Sequence, residues 1–307
     1  MKQAVVFLAL VLLFSLPVFA VQADQADGHF VSFDGTEIHW QSWTVEDPLA
    51  VIVLVHGYGS SSDLFTSFVQ DLNAEGISAY APDLRGHGSS GGKELSVESF
   101  DDYVRDLEGF VDIVMQQEGT DRIFLLGQSL GGDIVLRYSM EHPEDLKGLV
   151  VMGPGVGMQL FGRSIPLSVI RLIYPILRVM GRLLPGFSIP VPGINKNMNM
   201  KMLAENAGNA LYLWENVDRI TVPCLFVMGS EDQVVPQGAL RAFYDAVPSA
   251  DKSFSVVEGA DHFLFKEQSV DNTADAVVGW LLERYECQCS EGECQCDAEN
   301  PEIALVS

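Results

Sequence analysis

The sequence predicts an α/β protein: a mostly parallel central sheet with helices on both faces, interrupted by a helical insertion. Three observations predict it. Short, continuously apolar runs alternate with amphipathic stretches along most of the chain. The residue types able to do chemistry fall just after those apolar runs, where ligands of open α/β sheets sit. One segment, 155–207, breaks the alternation and carries its own charge balance. The 307 residues are 48% hydrophobic and 20% charged, a composition that fits a folded globular protein and excludes a disordered, collagen-like or coiled-coil chain.

Taken in order, residues 1–23 read as a secretory signal. Lys2 opens an uncharged apolar run, 4–14, and small-residue cleavage sites end at Ala20 and Ala23. The run is short for a span, which needs about 20 residues; an uncleaved anchor is the alternative. HFVSF and TEIHWQSW flank Asp34-Gly35 and predict a hairpin. AVIVLVHG (50–57) predicts a strand buried on both faces, followed by a helix over 62–75 and a strand at 77–83. Apolar residues from Phe100 to Val114 recur at helical spacing and predict a helix within 97–117. RIFLLG (122–127) is a strand, 130–141 a helix and 146–153 a strand. PCLFVMG (223–229), a helix near 236–247, SFSVVEG (253–259) and a helix over 269–285 complete the series.

The expected organisation is therefore a core of 24–154 and 208–285, an insertion of 155–207, and an acidic Cys-rich tail, 286–307. The insertion holds Arg163, Arg171, Arg178, Arg182, Lys196 and Lys201 against one acid, Glu205, and five prolines act as breakers. Elsewhere acids dominate: 42 Asp and Glu oppose 18 Lys and Arg, for a net charge of −24. That balance argues against nucleic-acid binding, which needs clustered positive charge. Cys224 reads as a buried small residue. Cys287, Cys289, Cys294 and Cys296 form two C-x-C units, for which disulfides are the first expectation in an exported chain and a thiolate metal site the rival.

Gly127-Gln128-Ser129-Leu130-Gly131 is the central motif. G-x-S-x-G is weak by itself, but here a buried strand leads in and a helix leads out, so the turn lifts Ser129 above the sheet. The bland alternative is a Gly-rich strand–helix turn. A serine hydroxyl needs a base, and His262 follows the last strand in EGADHF. The imidazole needs a carboxylate to hold its tautomer. Asp232 in GSEDQVVP is the candidate, with Glu231 and Asp261 as neighbouring alternatives. The loop His56-Gly57-Tyr58-Gly59 and the helix start at Leu130 are expected to supply two oxyanion N–H donors, from Tyr58 and Leu130; a simple glycine turn is the other reading of that loop.

The order Ser129, Asp232, His262 is that of the α/β-hydrolase fold. Together FDGTEIHWQSW, VLVHGYGSSS, APDLRGHGSS, GQSLGG, GSEDQVVP and GADHFLF resemble the α/β-hydrolases of the monoacylglycerol lipase and serine aminopeptidase-like (lysophospholipase-like) group over about residues 28–285. The resemblance implies Ser129 as nucleophile, Asp232 as acid, His262 as base, and Tyr58 and Leu130 as oxyanion donors. It also implies that DLRGHG (83–88) is a structural loop and that 155–207 is a cap. The Cys-rich tail lies outside the pattern. The function expected is an exported, periplasmic or secreted, carboxylic-ester hydrolase acting on a lipophilic ester such as a monoacylglycerol or lysophospholipid, with no cofactor required. Contact of the basic cap with a membrane surface is a further expectation. A peptidase or amidase on the same residues is the enzymatic alternative, and a binding module on a dead hydrolase scaffold is the non-enzymatic one.

Overall fold

The computed structural model describes residues 23–160, 163–191, 196–266 and 269–285. Residues 1–22 of the expected signal and the four tail cysteines lie outside them. The amino-terminal hairpin pairs β1 (Asp24–Val31) with β2 (Glu37–Thr44), and Gly35 turns it at φ 87°. There follow β3 (Ala50–Val55), α1 (Phe68–Ala74), β4 (Ile77–Pro82), α2 (Phe100–Glu118), β5 (Ile123–Gln128), α3 (Leu130–Glu141) and β6 (Leu146–Met152). After the insertion come β11 (Cys224–Gly229), α6 (Gln237–Ala246), β12 (Lys252–Val257) and α7 (Val270–Tyr285). The large sheet has eight strands in the order β1-β2-β4-β3-β5-β6-β11-β12. Only β1 and β2 run antiparallel to their neighbours.

Two-faced burial explains the continuous apolar strands. Along β3, Val51, Val53 and Val55 point into one core while Ile52 and Leu54 point into the other. The same alternation divides Leu125 from Phe124 and Leu126, and Phe226 from Leu225 and Val227. One core is closed by α2, α3 and α6 through residues such as Tyr103, Phe110, Ile134 and Phe243. The other is closed by α1 and α7 through Phe68, Leu72, Val277 and Trp280. Ser99 starts α2 by accepting the Asp101 N–H, while the Asp102 carboxylate takes the Ser99 N–H at 3.0 Å. Cys224 is free and buried, as its apolar setting implies, and burial pushes its thiol up to about 12.

Between β6 and β11 the chain adds nothing to the large sheet. It forms β7 (Met158–Leu160), β8 (Arg163–Ile165), α4 (Leu167–Leu183), β9 (Ser188–Pro190), β10 (Asn197–Asn199) and α5 (Met200–Glu215). Two details differ from the expected helical insertion. Short antiparallel pairs, β7 with β8 and β9 with β10, frame α4. And α5 runs past residue 207 to Glu215, because nothing in that stretch breaks a helix and Leu211 and Leu213 keep its buried stripe going.

Candidate active site

Ser129 is held at φ 54° and ψ −117°, a conformation costly for a residue with a side chain. Its N–H donates to Met152 O at 2.8 Å, which pins the turn between β5 and α3 to the end of β6. Glycines make the turn possible by close approach. A Cβ on Gly131 would lie 2.0 Å from Val55 O, and one on Gly127 would lie 2.2 Å from Gly131 O. An ordinary Gly-rich turn would place a glycine at the positive φ; here the serine occupies it.

His262 Nε2 lies 2.9 Å from Ser129 Oγ, and His262 Nδ1 lies 2.8 Å from Asp232 Oδ2. Residues 133 and 30 positions apart along the chain thus form one continuous hydrogen-bonded path. The second oxygen of Asp232 accepts the Val234 and Val235 N–H groups at 2.7 and 2.9 Å. That leaves Oδ2 for the imidazole, whose neutral form must therefore carry its proton on Nδ1 and face Ser129 with a lone pair. The His262 and Asp232 side chains are 2% and 1% exposed, so their attraction acts with little solvent screening. Gly153, at φ 49°, lets the backbone pass beside the ring, where a Cβ would sit 3.2 Å from His262 Cε1. Glu231 is exposed. Asp261 is turned away, bonded to the Phe263 N–H and paired with Lys266.

The loop after β3 lies against the serine, and a Cβ on Gly57 would be 3.1 Å from Ser129 Cβ. Tyr58 is the next residue. Its buried hydroxyl donates to Asn197 O at 2.9 Å, tying this loop to the insertion. Leu130 opens α3, so its N–H has no acceptor within the helix. His56 braces the loop from beneath: Nδ1 donates to Gly57 O at 2.8 Å and Nε2 accepts the Leu84 N–H at 2.9 Å. Burial, then the neighbouring His87, push its imidazole down to about 4, so it stays neutral in this single tautomer.

DLRGHG forms a dense support around Asp83. One Asp83 oxygen accepts the Ser62 N–H at 2.7 Å, and the other accepts the Ser89 N–H at 2.7 Å and faces His39 Nδ1 at 3.0 Å. Burial alone would raise this carboxyl, but the two N–H donors hold it below the usual carboxylate range. Arg85 bonds both oxygens of Asp106 at 2.6 Å and reaches Asp34 at 2.8 Å. Gly88, at φ 51°, cannot be replaced quietly, because a Cβ would fall 2.1 Å from Asp83 Oδ2.

Three supporting residues escape a reading of the sequence. Gln128 Nε2 donates to His262 O at 3.0 Å. Trp214 Nε1 on α5 donates to Val156 O at 2.7 Å, joining that helix to the loop that follows β6. Asp133, 6% exposed, packs beside Gly155, and burial pushes its carboxyl up to about 8. Only Gln128 carries a signal, its place inside G-x-S-x-G. Among the described residues no group of three or more His, Cys, Asp or Glu is arranged to hold a metal ion.

The family model described as serine aminopeptidase, S33, matches residues 46–210 and 191–269. The monoacylglycerol lipase of Mycolicibacterium smegmatis is 28% identical over 285 residues, covering 85% of this chain and 99% of the relative. The crystal structure of the Paleococcus ferrophilus monoacylglycerol lipase superposes with a TM-score of 0.65 at 23% identity, covering 86% and 99% of the two chains. A soluble variant of the Saccharomyces cerevisiae monoglyceride lipase, in complex with a substrate analogue, gives 0.68 at 19% identity, covering 86% and 95%. These structures share the α/β-hydrolase fold.

Proposed function

The chain belongs to the serine aminopeptidase S33 family of hydrolases, and we propose that it cleaves carboxylic esters through Ser129, His262 and Asp232. The observation that carries this reading is the unbroken path from Asp232 through His262 to Ser129, at 2.8 and 2.9 Å, ending on a serine in a strained turn. In the proposed mechanism His262 Nε2 takes the Ser129 proton as Oγ attacks the acyl carbon. Asp232 stabilises the imidazolium that results. The N–H groups of Tyr58 and Leu130 receive the negative charge on the former carbonyl oxygen. Collapse expels the alcohol, protonated by His262, and leaves an acyl group on Ser129. Water, activated by the same imidazole, then releases the acid.

The substrate we propose is a lipophilic ester of the monoacylglycerol or lysophospholipid kind. The names of the sequence relatives support it, and so does the outer face of α4. There Val169, Leu172, Ile176, Val179 and Leu183 stand exposed at helical spacing, with Leu172 and Leu183 75% and 74% exposed. Arg171, Arg178 and Arg182 lie on the same helix, an arrangement suited to resting on an anionic lipid surface. We read residues 1–23 as an export signal and 155–207 as the cap over this site. The family's description keeps a peptidase reading in play. A panel of p-nitrophenyl esters and monoacylglycerols of graded chain length, run beside aminoacyl-arylamides, decides between them. Ester turnover rising with chain length and at least tenfold above any arylamide supports the proposal; preferential arylamide cleavage overturns it.

A further inference from the structure

The Gly57–Tyr58 peptide carries one of the two N–H groups assigned to the oxyanion. Its carbonyl side is held from beneath, where Gly57 O accepts from His56 Nδ1 at 2.8 Å. In a trans peptide the N–H points opposite to that carbonyl. The Tyr58 N–H has no backbone acceptor among the described residues, so it is free to serve a ligand. The side chain of the same residue is fastened elsewhere. Tyr58 is 5% exposed, its hydroxyl donates to Asn197 O at 2.9 Å, and Leu95 O lies 3.4 Å away. Asn197 belongs to β10, which runs directly into α5. At their junction Asn199 uses the two ends of its amide separately. Oδ1 accepts the Met202 N–H at 2.9 Å and caps α5, while Nδ2 donates to Leu95 O at 3.2 Å. Leu95 sits at φ 47°, a conformation costly for a leucine that persists only where its surroundings over-determine it. Here its N–H donates to Gly86 O at 3.0 Å, and its carbonyl is turned toward both Asn199 and Tyr58. The His87 ring closes the remaining side, edge-on to the Tyr58 ring with centroids 5.6 Å apart. Burial, then Glu94, push the phenol up to about 12, so it remains a donor at neutral pH.

We propose that the Tyr58 side chain is a positioning residue for ester cleavage: through its hydroxyl, the Asn197 carbonyl and the Asn199 amide of the insertion fix the direction in which the Tyr58 N–H meets the oxyanion. The proposal rests on the reading of Ser129 as nucleophile and of this N–H as oxyanion donor. His56 steadies the peptide from the core, and the phenol steadies it from the insertion. The segment between β6 and β11 therefore takes part in the site itself. Removing an oxyanion donor costs a factor of about 10²–10³, and misplacing a group by about 1 Å costs about 10²-fold. Phenylalanine keeps the N–H and loses only its anchor, so the expected loss in Tyr58→Phe is smaller, about 5- to 50-fold in kcat. KM should stay within about twofold, because the interaction is one made in the transition state.

Steady-state hydrolysis of p-nitrophenyl butyrate by the full chain tests this in wild type, Tyr58→Phe, Asn199→Ser and the double variant, with circular dichroism melts as the folding control. Serine keeps the cap of α5 in a side chain too short to reach Leu95 O. The second readout is the inhibition constant of an alkyl trifluoromethyl ketone, whose carbonyl carbon Ser129 attacks to form a tetrahedral adduct bearing the same oxyanion. In Tyr58→Phe that constant should rise by the factor by which kcat/KM falls. Asn199→Ser should show a smaller loss in the same direction, and the double variant should fall no more than about twofold below Tyr58→Phe, since both changes loosen one knot. A purely structural role would lower the melting temperature of Tyr58→Phe and leave kcat and the inhibition constant unchanged. That result, beside a wild type active on the ester, overturns the positioning role alone. So does a fall in kcat with unchanged inhibition. A folded wild type with no ester turnover overturns the catalytic reading and the positioning role together. Should Tyr58→Phe fail to fold, Asn199→Ser carries the test, and an unchanged kcat and inhibition constant there overturn the role.

Discussion

Replacing Asp232 by Asn probes the relay at its least accessible member. The amide must choose an orientation. Val234 and Val235 present two N–H groups to one oxygen of Asp232, at 2.7 and 2.9 Å. An NH₂ group placed there would face two donors, so the amide oxygen stays and the NH₂ turns to His262. It then donates to Nδ1 in place of accepting from it. The ring proton shifts to Nε2, and Nε2–H meets Ser129 Oγ as a donor, unable to take its proton. The counter-charge to the imidazolium disappears as well. At 2.8 Å and an effective dielectric near 20, that attraction is about 6 kcal/mol. A tautomer inversion of this type lowers kcat by about 10⁴, equivalent to about 5.5 kcal/mol. The two figures are of similar size, and the rate loss is the one the assay reads. Hydrolysis of p-nitrophenyl butyrate by wild type and Asp232→Asn, with circular dichroism melts as the folding control, measures it. A folded variant whose kcat stays within tenfold of wild type refutes the argument.

Three further outcomes follow from particular residues. Burial holds the Asp133 carboxyl near 8, above its unfolded value, so the folded state keeps a proton that the unfolded chain loses, and this group erodes stability as pH rises from about 4 to 8. Asp133→Asn removes the effect. Its melting temperature should gain on wild type between pH 5 and pH 8.5, by about 2–4 °C per kcal/mol; a gap that does not change with pH contradicts the assignment. Gly131→Ala forces a Cβ to within 2.0 Å of Val55 O, and overpacking of this kind costs about 1–3 kcal/mol or more. Thermal melts and ester turnover should both fall, turnover more, and unchanged values would mean the turn has slack. The excess of 42 acids over 18 bases should make the fold salt-sensitive, with the melting temperature rising from low salt to 1 M NaCl as repulsion is screened. A flat response would show that this repulsion is locally compensated.

Much of this architecture was legible because burial writes plainly into a sequence. Strands β3 and β11, and β5 as far as Gly127, are apolar without interruption since both faces are covered, and each strand ends where a candidate catalytic loop begins. That placement, together with G-x-S-x-G, pointed to Ser129 and Asp232, and His262 follows the next strand, β12. Strand β1 was harder. It starts at Asp24, well before the HFVSF run, and pairs along its whole length with β2, but it is an edge strand with no buried alternation to reveal it. The extent of α5 was hidden for a related reason: the shift in composition at residue 207 is a change of charge, not a helix stop. The supports of the site were invisible because they depend on distant pairings. Gln128 reaches a carbonyl 134 residues away, and Trp214 one 58 residues away. Asp133, in the first turn of α3, is buried by packing that the sequence around it does not announce.

Mass spectrometry of the folded protein after treatment with a fluorophosphonate tests the central claim most directly. The account predicts one phosphonyl adduct, on the peptide containing Ser129, slowed greatly in His262→Ala and abolished in Ser129→Ala. A folded wild type that takes up no probe, or takes it up on a residue other than Ser129, would contradict it.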